Sequence, residues 1–208
     1  MSAPAPLLEA RNLTRPPLGP VSLTLSAGRC LAVTGPSGAG KSLLLRALAD
    51  LAPAEGTVRL RGTDRAAIPA PTWRRQVCYV AADPGWWAET VAEHMPPDET
   101  AWRPLLSAVG LPEAAEWAVS RLSSGERQRL SIVRALARTP AVLLLDEPTA
   151  NLDSDSATAV EALLRQAMAG GTGILLTSHD PAQVERLADA RLPLRKGRIV
   201  APQPETAP

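Results

Sequence analysis

The sequence predicts an α/β fold whose core is a mainly parallel sheet flanked by helices. Three observations carry this expectation: short apolar runs free of charge on both faces, helical segments alternating with them, and a glycine-rich turn joining one such run to one such segment. The runs are VSLTL at 21–25, CLAVT at 30–34, VCYVA at 77–81, VLLLD at 142–146 and ILLTS at 174–178. Strands that lack a polar face belong to sheets covered on both sides, as parallel sheets are. The cover comes from amphipathic segments near 41–51, 124–138, 154–169 and 181–189. Between about 83 and 121 the pattern changes to the Pro-punctuated segments AETVAEHM, TAWRPLLSAVGL and EAAEWAV, which carry no strand signal and predict a small helical insertion. The Pro/Ala-rich ends, MSAPAP and APQPETAP, are expected to be flexible.

A chain of 208 residues is long enough to bury one core without metal or disulfide staples. Its net charge of +1, with arginines scattered along the chain, gives no broad basic face, so nucleic acid is not an expected partner. No apolar run approaches the ~18 residues of a membrane span and the start lacks a basic, then apolar leader, so a cytoplasmic location is expected. Cys30 and Cys78 lie inside strand runs, where a reduced cysteine acts as a small hydrophobe.

Directly after CLAVT comes GPSGAGKS, which matches the G-x-x-x-x-G-K-[ST] phosphate loop in the strand-to-helix context the motif needs. Gly35, Gly38 and Gly40 let the backbone curl around phosphate oxygens, with the next helix N-terminus facing the anion. Lys41 adds a mobile charge, and the Ser42 hydroxyl suits Mg²⁺. Lysine occurs only here and at Lys196, so composition does not explain it. The run AVLLLDEP adds Asp146, suited to the Mg²⁺ shell, and Glu147, suited to polarising a water that attacks the γ-phosphate.

Three further segments point to one family. RLSSGERQRLSIVRALARTP resembles the signature motif and following helix of ATP-binding cassette (ABC) ATPases, with Leu122, Ser123, Ser124, Gly125 and Glu126 in the signature positions. TANLD, ending at Asp153, is similar to the family's D-loop, and LLTSHD places His179 where its switch histidine belongs. The resemblance covers nearly the whole chain with the motifs in order. It implies a P-loop NTPase of ABC type, with an N-terminal antiparallel β portion. The implied division is a RecA-like core with β subdomain over 1–82 and 135–200, a helical subdomain over 83–134, and a flexible tail over 201–208.

The resemblance also implies the ligands and their residues. ATP and Mg²⁺ would be held by Gly35, Pro36, Ser37, Gly38, Ala39, Gly40, Lys41, Ser42 and Leu43, with Ser42 and Asp146 on the metal. Glu147 and His179 would be catalytic. In a head-to-tail homodimer, Ser123, Ser124, Gly125 and Glu126 of one copy would complete the other copy's phosphate site, and Asp153 would tie the two sites together. A separate multi-span membrane permease would be the driven partner, placing the cassette on the inner face of the membrane, with Trp86 and Trp87 as candidate contacts or as internal packing. The run through WRRQVCYVAADPGWWAETVAEH is most similar to ATPase subunits of two-component bacterial iron or metal efflux exporters, with haem-export cassettes also similar.

The sequence departs from the family's pattern at three points. Ala82 stands where a glutamine is usual, no aromatic residue precedes the phosphate loop to stack on adenine, and Ser124 replaces a common glycine. Asp83 is adjacent to the lost glutamine, and Arg15 or a neighbouring proline such as Pro16 is expected to pack on the base. These changes support an alternative, a nucleotide-binding regulatory cassette with weakened catalysis.

Overall fold

A computed structural model of the chain describes residues 5–200. The expectations for the two chain ends at 1–4 and 201–208 fall outside the described residues.

Two sheets form the frame. The first is antiparallel, in the order β2 (Leu18–Leu25), β1 (Leu8–Arg15), β4 (Glu55–Leu60) and β5 (Thr63–Asp64). The second has six strands in the order β10 (Arg198–Ile199), β9 (Ala190–Arg195), β3 (Cys30–Thr34), β8 (Gly173–Thr177), β7 (Val142–Asp146) and β6 (Val77–Val80). All its pairings are parallel except β9 with β10. The helices are α1 (Lys41–Leu48), α2 (Ala70–Gln76), α3 (Arg103–Ala108), α4 (Ser124–Leu136), α5 (Ser154–Ala169) and α6 (Pro181–Leu187).

The charge-free runs have a direct structural cause. Along β3, β7 and β8 successive side chains enter two different cores. Ala32, Leu143, Leu145, Ile174 and Leu176 pack on the side of α3, α4 and α5. Leu31, Val33, Val142, Leu144 and Leu175 pack on the side of α1 and the antiparallel sheet. A strand buried on both faces has no position that tolerates charge. Trp73 of α2 is fully buried in the second core, and its indole N–H donates to the carbonyl of Leu48 at 2.9 Å, satisfying an unpaired carbonyl at the end of α1.

The segment before α4 holds α3 and several single turns of 3-10 helix rather than long helices. It nevertheless buries Trp102, Leu106 and Val109 completely or nearly so. Both cysteines are free, and burial pushes the Cys30 thiol up to about 12, as a structural cysteine requires. Among the described residues no helix is long and apolar enough to cross a membrane.

Candidate functional site

The phosphate loop leaves β3 at the carboxyl edge of the parallel sheet, where α/β proteins place ligands. Gly35 and Gly38 have φ of 145° and 74°, outside the range that side chains favour. At Gly35 a Cβ would also strike the carbonyl of Leu194 in β9. The β9–β10 turn continues this clamp: the Gly197 N–H donates to the Ala39 carbonyl, and the Gly197 carbonyl accepts from the Gly19 N–H. Gly40, also left-handed at φ 101°, caps α1 without a side-chain hydrogen bond, and no acid occupies the helix's first turn. The first N–H groups of α1 are thus oriented toward the loop with nothing negative beside them.

Ser37, Gly38, Ala39, Gly40, Lys41, Ser42 and Leu43 line one pocket of about 400 Å³ together with Asp146, Glu147 and His179. Five residues expected to act on one phosphate group (Lys41, Ser42, Asp146, Glu147 and His179) therefore converge. The Lys41 ammonium is folded onto the loop, donating to the carbonyl of Gly35 at 2.9 Å and lying 3.2 Å from His179 Nε2. An ammonium has no lone pair, so in this contact Nε2 is the acceptor, which assigns the imidazole proton to Nδ1. Nε2 is also 3.3 Å from Glu147 Oε1, an approach between two acceptors rather than a hydrogen bond. Glu147 Oε1 is accordingly buried without a partner, the condition a positioned water would satisfy. Its other oxygen accepts from the His179 N–H at 3.2 Å.

One residue invisible to motif reasoning organises both acids. β7 and β8 pair with Asp146 opposite Thr177, which is fully buried. The Thr177 hydroxyl donates to Asp146 at 2.7 Å and accepts from the Glu147 N–H at 3.0 Å. Glu147 itself has φ 50°, a strained conformation that turns its side chain off the strand end. Asp146 accepts a second bond from the Tyr79 hydroxyl at 3.0 Å, and burial followed by the aspartate's charge raises the Tyr79 pKa, keeping the phenol a donor. A hydroxyl oxygen and a largely buried carboxylate, Ser42 and Asp146, form a hard donor set that fits Mg²⁺. Thr177→Val keeps the shape and deletes both bonds. It is expected to cost about 1–3 kcal/mol of stability, read by denaturant melts, and to lower ATP turnover about tenfold by releasing Glu147.

The signature residues are placed apart from this pocket. Ser123 and Glu126 form a reciprocal capping box on α4, and Glu126 is held below the usual carboxylate range first by the Ser123 N–H. The Ser123 Oγ accepts from the Glu126 N–H, so its own proton remains free to donate. Ser123 and Ser124 are exposed, and a Cβ on Gly125 would press on the Asn151 carbonyl. Asp153 caps α5, accepting from the N–H and hydroxyl of Ser156 at 2.9 and 2.8 Å, which lowers its pKa.

Ala82 lies on the wall of the phosphate pocket and of an adjoining one lined by Asp83, Leu122, Ser124, Arg127 and Asn151. Asp83 lines only the adjoining pocket, whereas Ala82 lines both. Arg15 donates to the Pro53 carbonyl at 2.7 Å and does not line the phosphate pocket, and the neighbouring proline on its wall is Pro17.

The adjacent tryptophans separate. Trp86 packs against the core, whereas Trp87 is 73% exposed. Buried His94 sets this turn: its Nε2 accepts from the N–H groups of Trp87 and Ala88, and its Nδ1–H donates to the Thr90 carbonyl.

A glycine-clamped loop, a lysine, two acids held by one threonine and a histidine, all at the edge of a parallel sheet, define a phosphate-loop nucleotide-hydrolysing protein. The ABC transporter family profile matches residues 18–150, and the chain belongs to that family as one of its ATPase domains. It is 34% identical to "Phosphate import ATP-binding protein PstB 2" of Natronomonas pharaonis over 209 residues, covering 88% of this chain and 73% of that protein. It is 38% identical to "Lipoprotein-releasing system ATP-binding protein LolD" of Anaeromyxobacter dehalogenans, covering 94% of this chain and 89% of that protein. Among solved structures, "Structure of ATP binding subunit of ABC transporter" superposes with a TM-score of 0.86 at 29% identity, covering 94% of this chain and 88% of that one. The chain is therefore an ATP-binding subunit of the ABC transporter type.

Proposed function

We propose that this chain binds and hydrolyses ATP in a head-to-tail homodimer and that the dimer's closure drives a separate multi-span permease on the inner face of the membrane. The observation that carries the reading is the convergence of Lys41, Ser42, Asp146, Glu147 and His179 on one pocket. In this reading the loop N–H groups and Lys41 bind the phosphates, and Lys41 moves from the loop carbonyls to the γ-phosphate. Ser42 and Asp146 would hold Mg²⁺, which would supply charge neutralisation on the phosphate oxygens. Glu147 Oε1 takes up the attacking water, and His179 holds the γ-phosphate side through Nε2 once Lys41 has shifted.

Ser123, with its unspent hydroxyl proton, and the Gly125 N–H at the start of α4 are the donors that a second copy would bring. Glu126 fixes that helix start, and Asp153 stands at the neighbouring helix start on the same face of the proposed interface. Residues 83–134 form the helical part and 1–82 with 135–200 the core in the same reading. The direction we propose is export, with iron or another metal as cargo, on the likeness of the segment from the phosphate loop to His94. Trp87 rather than Trp86 is then the aromatic contact for the permease. The alternative of a regulatory cassette is favoured by Ala82, whose methyl group cannot ligate or hydrogen-bond.

Turnover measured on the purified chain, alone and with a multi-span protein encoded beside it, tests the proposal. Lys41→Ala is expected to abolish nucleotide binding, read by ATP titration. Unchanged turnover in that variant would rule the assignment out.

A further inference from the structure

Helix α6 follows closely on His179 and turns Gln183, Val184 and Leu187 inward, the spacing of one helical face. Val184 and Leu187 are what such a face calls for, whereas Gln183, only 1% exposed, is not. Its Nε2 donates to the Thr149 hydroxyl oxygen at 2.6 Å, and its Oε1 is buried with no partner. An acceptor buried without a partner destabilises a fold, and a leucine of similar size would avoid it. Seating α6 does not require this amide, because Arg186 already grips buried Glu161 of α5 through two bonds at 2.9 and 2.7 Å.

What the amide does hold is Thr149, two residues beyond Glu147. The Glu147 carbonyl accepts from the Ala150 N–H at 3.3 Å and the Thr149 carbonyl from the Leu152 N–H at 3.1 Å, so Glu147 to Leu152 is one continuous turn. Glu147 enters it at a φ of 50°, a backbone state that its surroundings must impose. Packing supplies no support from one side, where Glu147, Thr149, Ala150, Leu152, Ser178 and His179 border a hollow of about 700 Å³. Among the described residues, the Gln183–Thr149 bond is the one hydrogen bond that ties the turn to α6. At its far end the turn lies against the signature residues: a Cβ on Gly125 would stand 3.1 Å from the Asn151 carbonyl oxygen.

We propose that Gln183 is a positioning residue for ATP hydrolysis: by holding Thr149 it fixes the turn that carries Glu147 relative to the segment that carries His179. It touches neither nucleotide nor water and acts only through Thr149. The inference rests on the reading that Glu147 and His179 handle the water and the γ-phosphate, and adds what keeps their two segments in register. A buried polar pair that lowers stability, set beside a strained catalytic turn, is the mark of a supporting shell kept for activity.

The test compares the full chain with Gln183→Leu, Thr149→Val, the two combined, and Thr149→Ser. Gln183→Leu and Thr149→Val are each expected to lower kcat for ATP about tenfold with KM unchanged, because the water is misplaced while the phosphate loop is untouched. Gln183→Leu should melt at or above the parent temperature, because the unpaired oxygen leaves with the amide. The double variant should be no slower than either single one, since both remove the same bond. Thr149→Ser keeps the hydroxyl and should turn over as the parent does. Parent-like kcat in Gln183→Leu or Thr149→Val, a rise in KM in place of the fall in kcat, or a lowered melting temperature in Gln183→Leu would each overturn the proposal. So would losses that multiply in the double variant, or a Thr149→Ser as slow as Thr149→Val. Glu147→Gln, assayed alongside, separates the two levels: parent-like turnover there removes the hydrolysis reading, whereas a slow Glu147→Gln beside a parent-like Gln183→Leu removes the positioning role alone.

Discussion

Glu147→Gln will lower ATP turnover by about a thousandfold, equivalent to ~4 kcal/mol on the barrier. The amide keeps the shape of the side chain but offers a weaker, uncharged acceptor where Oε1 is buried and unpartnered. Nucleotide binding should persist, because Lys41, the loop and Asp146 are untouched. The slowed protein should then accumulate as an ATP-bound dimer, read by light scattering as twice the 21.9 kDa chain mass. Turnover within about tenfold of the parent would show that Glu147 does not handle the water.

Trp73→Ala will remove about 3–5 kcal/mol of stability and lower the melting temperature by about 10 °C. The indole is fully buried in the core beneath α1, and its N–H closes the Leu48 carbonyl. Truncation leaves a ring-sized cavity and an unsatisfied carbonyl together, directly below the helix that presents Lys41 and Ser42. Trp73→Phe, which refills most of the volume, is expected to cost about 1–2 kcal/mol. Denaturant melts of the two variants separate the packing from the hydrogen bond.

The parts legible in the sequence are those where local pattern and chemistry coincide. The strand, glycine loop and helix from Cys30 to Leu48 announce themselves because a phosphate cradle demands glycine and lysine at fixed offsets. Asp146 and Glu147 stand at the end of a run that no charge interrupts, which marks a strand leaving the core. The antiparallel strands β1 and β4 were not legible, since Glu9, Arg11 and Arg59 interrupt their apolar residues and their cover lies on one face only. β9 carries Pro193 and two arginines, and α2 begins with prolines on either side of Ala70, so neither shows a clean period.

The site itself was legible in its charged members and not in those that hold them. Thr177 and Tyr79 act through hydroxyls whose partners are fixed by strand register, Asp146 against Thr177 and Tyr79 against Leu144, and register is not written in either segment alone. Pro17 reaches the pocket because Gly197 and the β1–β2 turn close on it, a contact between distant stretches of chain. Trp86 and Trp87 looked equivalent as neighbours, but the His94 bonds to the backbone of Trp87 and Ala88 hold one ring in and the other out.

The clamp between Gly197 and the phosphate loop sets an order of events in protein synthesis. Ala39 and Gly19 take their partners from a turn made more than 150 residues later, and Gly35 is seated on Leu194. While a ribosome is still extending the chain, the loop therefore has its sequence but not its walls. Nucleotide cannot be gripped by a nascent cassette until β9 has threaded beside β3 and the turn behind it has emerged. A cassette truncated by premature termination before Gly197 would thus be left without the seat for its phosphate loop, and would not sequester nucleotide.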